Sequence, residues 1–275
     1  MTCYRHPDRE TYISCSECGR PICTECMTQA PVGQRCPEHS GKAQGARRIT
    51  TGVRRTAYEG GGAIVTKTLI AINVLVYLAE LAQGAGINAN SGSIFFHGAL
   101  DGPDVANGDW WRLFTSMFLH YGPLHLGLNM LALWWFGSVL EAILGRGRYL
   151  LVYIVSGLCG SAGALIDNPN AYTVGASGAI FGVLGAFMVI EYQRTGNLFG
   201  NAFILIAINL VFGFSVSNIA IGGHIGGLIG GIASVLVLSQ FGRGHAAYSR
   251  VGGVAIAGVV AIGAASIAIA YLAVG

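Results

Sequence analysis

From residue 63 onward, the chain alternates between long apolar stretches and short polar connections. Seven of the stretches approach the roughly 20 residues that an α-helix needs to cross a bilayer. Their approximate ranges are 63–83, 113–140, 149–166, 177–193, 201–216, 222–240 and 251–273. The second is longer than one crossing requires, so it is predicted to include a helix that starts in the membrane interface. The pattern predicts an all-α polytopic membrane protein.

The composition supports the same fold class. Of the 275 residues, 53% are hydrophobic and only 11% are charged, whereas soluble domains carry about 25% charged residues. The first 39 residues are polar and rich in cysteine, so no cleavable signal peptide is predicted there. A small polar domain is therefore expected to precede the membrane-embedded part.

The positive charges predict an orientation. Lysine and arginine occupy positions 5, 9, 20, 35, 42, 47, 48, 54, 55, 67, 112, 146, 148, 194, 243 and 250. With the N-terminus inside, all of them except Arg112 lie on the cytoplasmic side, where basic residues concentrate in membrane proteins. We expect a multi-pass protein of the cell membrane whose N-terminus is cytoplasmic and whose C-terminus, after seven crossings, is extracytoplasmic.

Residues 1–40 contain four closely spaced pairs of metal-ligand residues. The pairs are Cys3 and His6, Cys15 and Cys18, Cys23 and Cys26, and Cys36 and His39. Two intervening residues let both members of a pair reach one ion, and eight ligands suffice for two tetrahedral zinc sites. Histidine has no role in a disulfide, and a cytoplasmic location keeps thiols reduced. A zinc-binding domain with two ions is therefore predicted. The ions are expected to be structural, because the domain has few apolar residues and the metal must supply much of its folding free energy.

This N-terminal module resembles the B-box type of cross-braced zinc finger. The resemblance implies that the first and third pairs bind one ion and that the second and fourth bind the other, whereas the spacing alone leaves the pairing open. No acid or base stands beside an open coordination position, so a catalytic zinc is not predicted. The module is expected either to be a structural unit or to dock a cytoplasmic protein partner.

Residues 41–62 are predicted to be a basic linker. Its positive residues are Lys42, Arg47, Arg48, Arg54 and Arg55. Such a cluster is typical of the cytoplasmic side of a membrane protein and is compatible with contact to anionic lipid headgroups. Nucleic-acid binding is not expected from so short a patch beside a membrane span.

A few strongly polar residues lie within the apolar stretches. The second span contains His120, His125 and Asn129, the fourth begins with Ser177, and the sixth contains His224. Polar groups inside a membrane are costly and usually face the protein interior. In the orientation above, all five lie toward the outer side of the membrane. They are therefore predicted to lie at one depth, as the parts of one site must.

Two of these polar residues suit an oxyanion. His125 and Asn129 are four residues apart, so they share one face of a helix, and each offers an N–H donor. Hydrogen bonding between spans is an equally good explanation of this pair taken alone.

Ser177 and His224 both stand in glycine-rich helical sequences. Gly178, Gly182 and Gly185 follow Ser177, and His224 lies in the segment 222–231, which has glycines at four-residue spacing. If these small faces pack together, the imidazole comes within reach of the hydroxyl and can take its proton. Packing alone is the simpler explanation of a small serine motif in a membrane helix.

No acidic residue is expected near the depth of Ser177 and His224, so a Ser–His dyad is predicted rather than a triad. The Phe181 ring is placed to stack on the imidazole.

Several motifs in order resemble those of the rhomboid intramembrane serine proteases. They are Trp111-Arg112-Leu113-Phe114-Thr115, then His120, His125, Asn129, Trp134-Trp135-Phe136-Gly137 and Glu141, then Gly175-Ala176-Ser177-Gly178, and finally Gly223-His224-Ile225-Gly226-Gly227. The resemblance covers about residues 63–240. Residues 251–273 would then be a seventh transmembrane helix added to a six-helix rhomboid core.

The resemblance implies a role for each site residue. Ser177 is the nucleophile, His224 is the general base, and His125, Asn129 and the Ser177 amide form the oxyanion hole. Arg112 and Glu141 are structural, and residues 84–111 are the family's membrane-inserted loop. Many relatives carry Tyr where this chain has Phe181, which keeps the stacking surface and lacks the hydroxyl.

The implied activity is that of a serine endopeptidase. It hydrolyses peptide bonds in or near the transmembrane helices of membrane-protein substrates, through an acyl-enzyme on Ser177 and with no cofactor for catalysis. An inactive rhomboid-like adaptor that presents membrane clients through the zinc module is the main alternative, but the chain retains both Ser177 and His224. A transporter is disfavoured because we find no convincing internal repeat of the kind those folds show.

Overall fold

The computed structural model describes residues 1–29, 33–40, 62–84, 91–215, 220–239 and 252–275. Nearly all of the predicted linker 41–62, with its five basic residues, lies outside the described residues, as do Arg243 and Arg250. The chain divides into two compact units, Met1–Arg55 and Thr56–Gly275, which we describe separately.

The N-terminal unit is built on short extended segments and turns. Strand β1 (Thr28–Gln29) pairs antiparallel with β2 (Gln34–Arg35), and isolated bridges join Thr2 to Glu10 and Ser14 to Pro21. The buried cluster of this unit consists of five cysteines together with Ile22. So small an apolar core agrees with the prediction that another source of stability is needed.

The described part of the second unit is helical, which confirms the predicted all-α membrane fold. Its helices are α1 (Ile64–Ala82), α2 (Ser93–Gly98), α3 (Gly102–Ala106), α4 (Arg112–Thr115), α5 (Gly122–Ala132), α6 (Ser138–Leu144), α7 (Arg146–Asp167), α8 (Ser177–Thr195), α9 (Asn201–Ser215), α10 (Ile221–Leu238) and α11 (Gly253–Val274). A π-helical turn, Leu133–Gly137, joins α5 to α6.

Five of the described helices are long and apolar enough to cross a membrane. They are Ile64–Ala82, Gly122–Leu144, Arg146–Asp167, Ile221–Leu238 and Gly253–Val274. The predicted fourth and fifth spans are also helices, but α8 carries Glu191 and Arg194 near its end and α9 is shorter. The chain is a multi-pass integral membrane protein, and the count of seven crossings stays a prediction.

The second predicted span begins later than the sequence suggests. Residues 112–118 form α4 and a 3₁₀ turn, and the long helix begins only at Gly122. Gly122 has a φ of +80° and is followed by Pro123, which suits the first turn of a helix. His120 therefore lies in the connection before α5 and not within the span, which corrects the prediction for this residue.

Three central helices, α7, α8 and α10, pack with their backbones in contact. A Cβ atom added to Gly227 would lie 1.9 Å from the carbonyl oxygen of Gly178, and one added to Gly231 would lie 2.0 Å from that of Gly182. A Cβ atom added to Gly163 on α7 would lie 2.2 Å from the carbonyl oxygen of Gly222. Small residues permit this approach in a membrane. The two predicted glycine faces thus pack together and bring the first turns of α8 and α10 side by side.

Two buried charged side chains, which the resemblance implies are structural, bind the backbone at helix ends and in the loops between helices. Arg112 is buried, ion-pairs with Asp104 (2.6 Å) and Asp109 (3.0 Å), and donates to the carbonyl groups of Phe96 (2.7 Å) and Ala99 (2.8 Å). It thereby fixes the described part of the 84–111 segment. Glu141 is likewise buried and accepts from the backbone N–H groups of residues 65 and 66, at 3.0 and 2.8 Å, and so caps the start of α1.

Candidate active site

The side chains of Ser177 and His224 meet at the ends of two packed helices. The Oγ of Ser177 lies 3.0 Å from the Nε2 of His224, a hydrogen-bond distance. Phe181, one turn beyond Ser177, stacks on the imidazole with ring centroids 4.2 Å apart and an interplanar angle of 14°. Both polar residues are half-buried, so the pair is held in place and still reaches the adjoining cavity.

The local sequence explains why Ser177 stands at this point. It is the first residue of α8, preceded by Gly175, whose φ of +125° is a conformation that other residues rarely adopt. The N–H of Gly175 donates to the carbonyl oxygen of Ser116 at 2.9 Å, which ties the turn to the neighbouring 3₁₀ segment. Because the first N–H groups of a helix have no acceptor within it, the Ser177 amide is placed to bind an anion.

The ring of His125 lies beside Ser177. A Cβ atom added to Gly175 would be 2.8 Å from Cε1 and 3.0 Å from Nε2 of His125, and 3.8 Å from the Oγ of Ser177. The backbone N–H of Tyr121 donates to the Nδ1 of His125 at 3.2 Å. An Nδ1 that accepts must be unprotonated, so a neutral ring carries its proton on Nε2. That N–H is the one next to the serine.

Asn129 lies on the same face of α5, one turn after His125, and is buried. One of its amide N–H groups donates to the carbonyl oxygen of His125 at 2.9 Å. An asparagine amide has two donors, so the second is available to a ligand. Asn129, His125, Ser177 and His224 all line one cavity of about 1250 Å³.

Within the described residues, the imidazole of His224 has no hydrogen-bond partner at Nδ1. The nearby carboxylate of Asp167 instead accepts the backbone N–H of Gly222 at 3.1 Å, at the start of α10. The geometry is therefore that of a Ser–His pair, because no carboxylate of the described residues bonds to the imidazole. The expectation that no acidic residue lies near this depth is wrong, since Glu80 in the last turn of α1 is buried close to His120.

Glu80 is a residue that the sequence reasoning missed. It lies in the last turn of α1, is 1% exposed, and accepts the backbone N–H of His120 at 3.4 Å. The ring of His120 is as deeply buried and lies 5.1 Å, between centroids, from the ring of His125. An acidic residue just inside the end of an apolar span was the available signal, since such residues seldom occur there without a partner.

The eight predicted zinc ligands form two groups. One comprises Cys3, His6, Cys23 and Cys26, the other Cys15, Cys18, Cys36 and His39, and within each group the ligand atoms lie within 4.8 Å of one another. These are the first with the third pair and the second with the fourth, the pairing that the B-box resemblance implies.

The distances within these groups fit a tetrahedral zinc ion. The Nδ1 of His6 is 3.4 Å from the sulfurs of both Cys23 and Cys26, and the sulfurs of Cys18 and Cys36 are 3.8 Å apart. Zinc–sulfur bonds of about 2.3 Å and zinc–nitrogen bonds of about 2.0 Å give tetrahedral edges of roughly 3.5–3.8 Å. All six cysteines of this unit are free of disulfides.

The surroundings of Cys3 favour its thiolate form. Burial raises the pKa of this thiol, but hydrogen bonds from the backbone of Cys23, Arg5 and His6 outweigh that effect and lower the pKa to about 6. A thiolate is the form that binds metal.

Comparison with known proteins shows what this part of the chain is similar to. Residues 107–241 match the rhomboid domain. Over 187 residues the chain is 40% identical to the rhomboid protease GluP of Bacillus subtilis (strain 168). This alignment covers 66% of the present chain and 36% of GluP. Over 133 residues it is 41% identical to the putative rhomboid protease YdcA of the same organism. That alignment covers 46% of the present chain and 66% of YdcA.

A more distant relative aligns over a longer part of its own length. The chain is 29% identical over 206 residues to the rhomboid protease AarA of Providencia stuartii, covering 64% of this chain and 73% of that protein. The chain spans about one third of the length of GluP and just under two thirds of that of YdcA. Its matched region contains all four residues of the cavity site, so the site lies within the part of the chain that is similar to the rhomboid domain.

Proposed function

We propose that this protein is an intramembrane serine endopeptidase that cleaves peptide bonds in or near the transmembrane helices of membrane proteins. The observation that carries the proposal is the 3.0 Å contact between the Ser177 hydroxyl and the His224 imidazole. It lies in a cavity beside a set of N–H donors. The names of the relatives, which describe rhomboid proteases, support the same activity.

The first half-reaction follows from this arrangement. His224 Nε2 takes the proton of the Ser177 hydroxyl as Oγ bonds to the substrate carbonyl carbon. The negative charge that develops on the carbonyl oxygen is stabilised by the N–H groups of His125, Asn129 and the Ser177 backbone. The carbon–nitrogen bond then breaks, the departing amine takes the proton from Nε2, and the acyl group stays on Oγ.

In the second half-reaction, water replaces the amine. His224 takes a proton from a water molecule in the cavity as its oxygen bonds to the acyl carbon. The carbon–Oγ bond breaks and Ser177 regains its proton from Nε2, which releases the carboxylic acid product. The partly open cavity, into which the polar side chains of His125, Asn129 and His224 reach, gives water a route to the serine, which a site inside a bilayer requires.

The rim of the cavity suits a substrate that arrives from the bilayer. Leu124 and Leu128 of α5 both line the cavity, and 74% and 56% of their surfaces are exposed. Exposed leucines on a membrane-spanning helix face lipid at little cost, so an apolar helix can approach the site from the side. Such a helix must unwind locally, because its carbonyl groups are hydrogen-bonded within the helix.

The proposal is tested by reconstitution. Purified protein in liposomes is mixed with a model single-span membrane protein, and cleavage is compared between the wild type and Ser177→Ala. We expect the wild type to cut and the variant not to, and a fluorophosphonate probe to label the wild type at Ser177 only. If the folded wild type neither cuts nor is labelled, the chain is an adaptor that binds membrane clients without cleaving them.

The oxyanion hole makes a second prediction. His125→Ala is expected to lower kcat by about 10²- to 10³-fold, because it removes one donor to the charged transition state. KM should change little, since the donor acts mainly on that transition state. Initial rates over a range of substrate densities in the bilayer separate the two constants. A loss confined to KM, or a kcat within about twofold of the wild type, would contradict the role of His125.

We also propose that residues 1–40 bind two structural zinc ions through the ligand groups described above. Elemental analysis of the purified protein is expected to find two zinc ions per chain. Cys15→Ser should reduce the content to one, because it removes a ligand from one group only. Cys159→Ser, which changes the lone cysteine within the membrane helices, should retain both ions. Zinc content unaffected by Cys15→Ser would show that the metal is held elsewhere.

The placement of this module rests on charge. The excess of basic residues at the N-terminal side supports an orientation with the zinc module in the cytoplasm and the C-terminus outside the cell membrane. There the module is accessible to a cytoplasmic protein partner, while the cavity faces the transmembrane substrate and the surrounding lipid. Neither catalysis nor binding in this scheme involves a nucleic acid.

A further inference from the structure

A buried carboxyl group stands behind the oxyanion hole. Glu80 is 1% exposed and lies in the last turn of α1, a membrane-spanning helix. An acidic residue in such a position is costly and is retained where it has a specific task. Its Oε2 atom accepts the backbone N–H of His120 at 3.4 Å. Glu80 has no part in the proposed chemistry, so this contact needs another explanation.

The contact holds a turn that also holds His125. The next N–H along the chain, that of Tyr121, donates to the Nδ1 of His125 at 3.2 Å. The turn is closed by the N–H of Gly122, which donates to the carbonyl oxygen of His120 at 3.0 Å. Consecutive N–H groups of one short segment therefore bind the carboxyl group on one side and the oxyanion-hole imidazole on the other.

This arrangement controls where the proton of His125 resides. As long as the Tyr121 N–H points at Nδ1, a neutral imidazole must carry its proton on Nε2. That nitrogen lies beside Gly175 and the serine. If the peptide between residues 120 and 121 turns away, Nδ1 can take the proton and Nε2 becomes an acceptor. An acceptor at that place repels the oxyanion.

The ring of His120 adds a steric restraint. It is 1% exposed and tilted by 59° against the ring of His125, at a centroid distance of 5.1 Å. Neither of its ring nitrogens has a hydrogen-bond partner in the part of the chain that the structure describes. It therefore contacts His125 by packing, while its backbone N–H donates to the carboxyl oxygen of Glu80.

We propose that Glu80 is a positioning residue of the oxyanion hole, which holds the backbone of His120 and thereby keeps the following Tyr121 N–H on His125, so that His125 stays in the Nε2–H form. The proposal rests on the proposed peptidase function for its kinetic consequences. Its structural consequence, the protonation pattern of His125, is independent of whether the protein cleaves anything.

The kinetic test is a double-mutant cycle. Glu80→Leu is expected to lower kcat roughly tenfold and to leave KM unchanged. The loss is smaller than that expected for His125→Ala, because the donor is misplaced for part of the time and not removed. In the His125→Ala background, the same change should have no further effect, because its target is gone. Glu80→Gln, whose amide oxygen still accepts the His120 N–H, should retain most of the activity.

Asn73→Leu is the matched control for this cycle. Asn73 is buried in the same helix, and its amide donates to the carbonyl oxygen of Leu69 in that helix. Any loss it causes should be the same in both backgrounds. If Glu80→Leu also lowers kcat by the same factor with and without His125, or leaves it unchanged in the wild type, Glu80 does not act through His125.

A spectroscopic test does not depend on cleavage. In protein labelled with ¹⁵N-histidine, the His125 signals are identified by their loss in His125→Ala. We expect the wild type to show an unprotonated Nδ1 and a protonated Nε2, and Glu80→Leu to show a mixture of the two neutral forms. An unchanged spectrum in Glu80→Leu overturns the proposal even if the wild type is an active protease. A wild type that cuts nothing but shows the change supports the positioning role and contradicts the proposed function.

Discussion

Replacement of His224 by Ala is expected to lower kcat for peptide cleavage by roughly 10⁴- to 10⁶-fold. At neutral pH a serine hydroxyl is almost wholly protonated and is a weak nucleophile until a base takes its proton. The Nε2 of His224, 3.0 Å from the Ser177 Oγ, is the base that the structure offers. The measurement is single-turnover cleavage in liposomes, together with the rate at which a fluorophosphonate labels Ser177.

The pair should act as a unit. Once Ser177 is replaced by Ala, adding His224→Ala should cost nothing more, because the base then has no nucleophile to activate. His97→Ala is the control, since His97 is an exposed histidine of α2 that contacts Ser93. A His224→Ala protein that is folded and cuts within about tenfold of the wild type would rule out the dyad, because general base catalysis is worth far more than that.

The location of this site was accessible from the sequence for a physical reason. Polar residues in apolar spans are expensive, so the few that occur attract attention, and Ser177, His125 and His224 were all found in this way. The sequence predicts contact between Ser177 and His224 only if two glycine faces on separate helices pack together. Gly178 and Gly227 do so with backbones touching.

Other features depend on geometry that local patterns do not contain. His120 was assigned to the second span because apolar residues surround it, whereas Gly122 and Pro123 start the helix two residues later. Glu80 stands at the end of an apolar span, and only the fold shows that its carboxyl group accepts the N–H of His120 in the turn before α5. The sharing of ligands between the zinc pairs likewise depends on how residues 1–40 fold, which the even two-residue spacing does not determine.

Gly227→Ala is expected to impair both stability and catalysis, because the added methyl group would lie 1.9 Å from the carbonyl oxygen of Gly178. Overpacking of this kind costs about 1–3 kcal/mol, and here the obstacle is backbone that no rotamer change can move. The helices must separate by about an ångström or more to restore ordinary contact distances. Thermal unfolding in detergent should show a lower midpoint than that of the wild type.

The catalytic loss has the same origin. Gly178 follows Ser177 directly, and Gly227 lies one turn beyond His224, so separation at this contact lengthens the distance between Oγ and Nε2. A misplacement of about 1 Å costs on the order of 10²-fold in rate, and we expect kcat to fall by about that factor in the fraction that remains folded. Gly147→Ala in α7 is the control, because a Cβ added there would have no atom within 4 Å apart from its chain neighbours and the adjacent backbone of its own helix. It should be neutral or stabilise the helix by about 0.5–1 kcal/mol. If Gly227→Ala behaved like Gly147→Ala in both measurements, the contact of α8 with α10 would not be what holds the serine against the histidine.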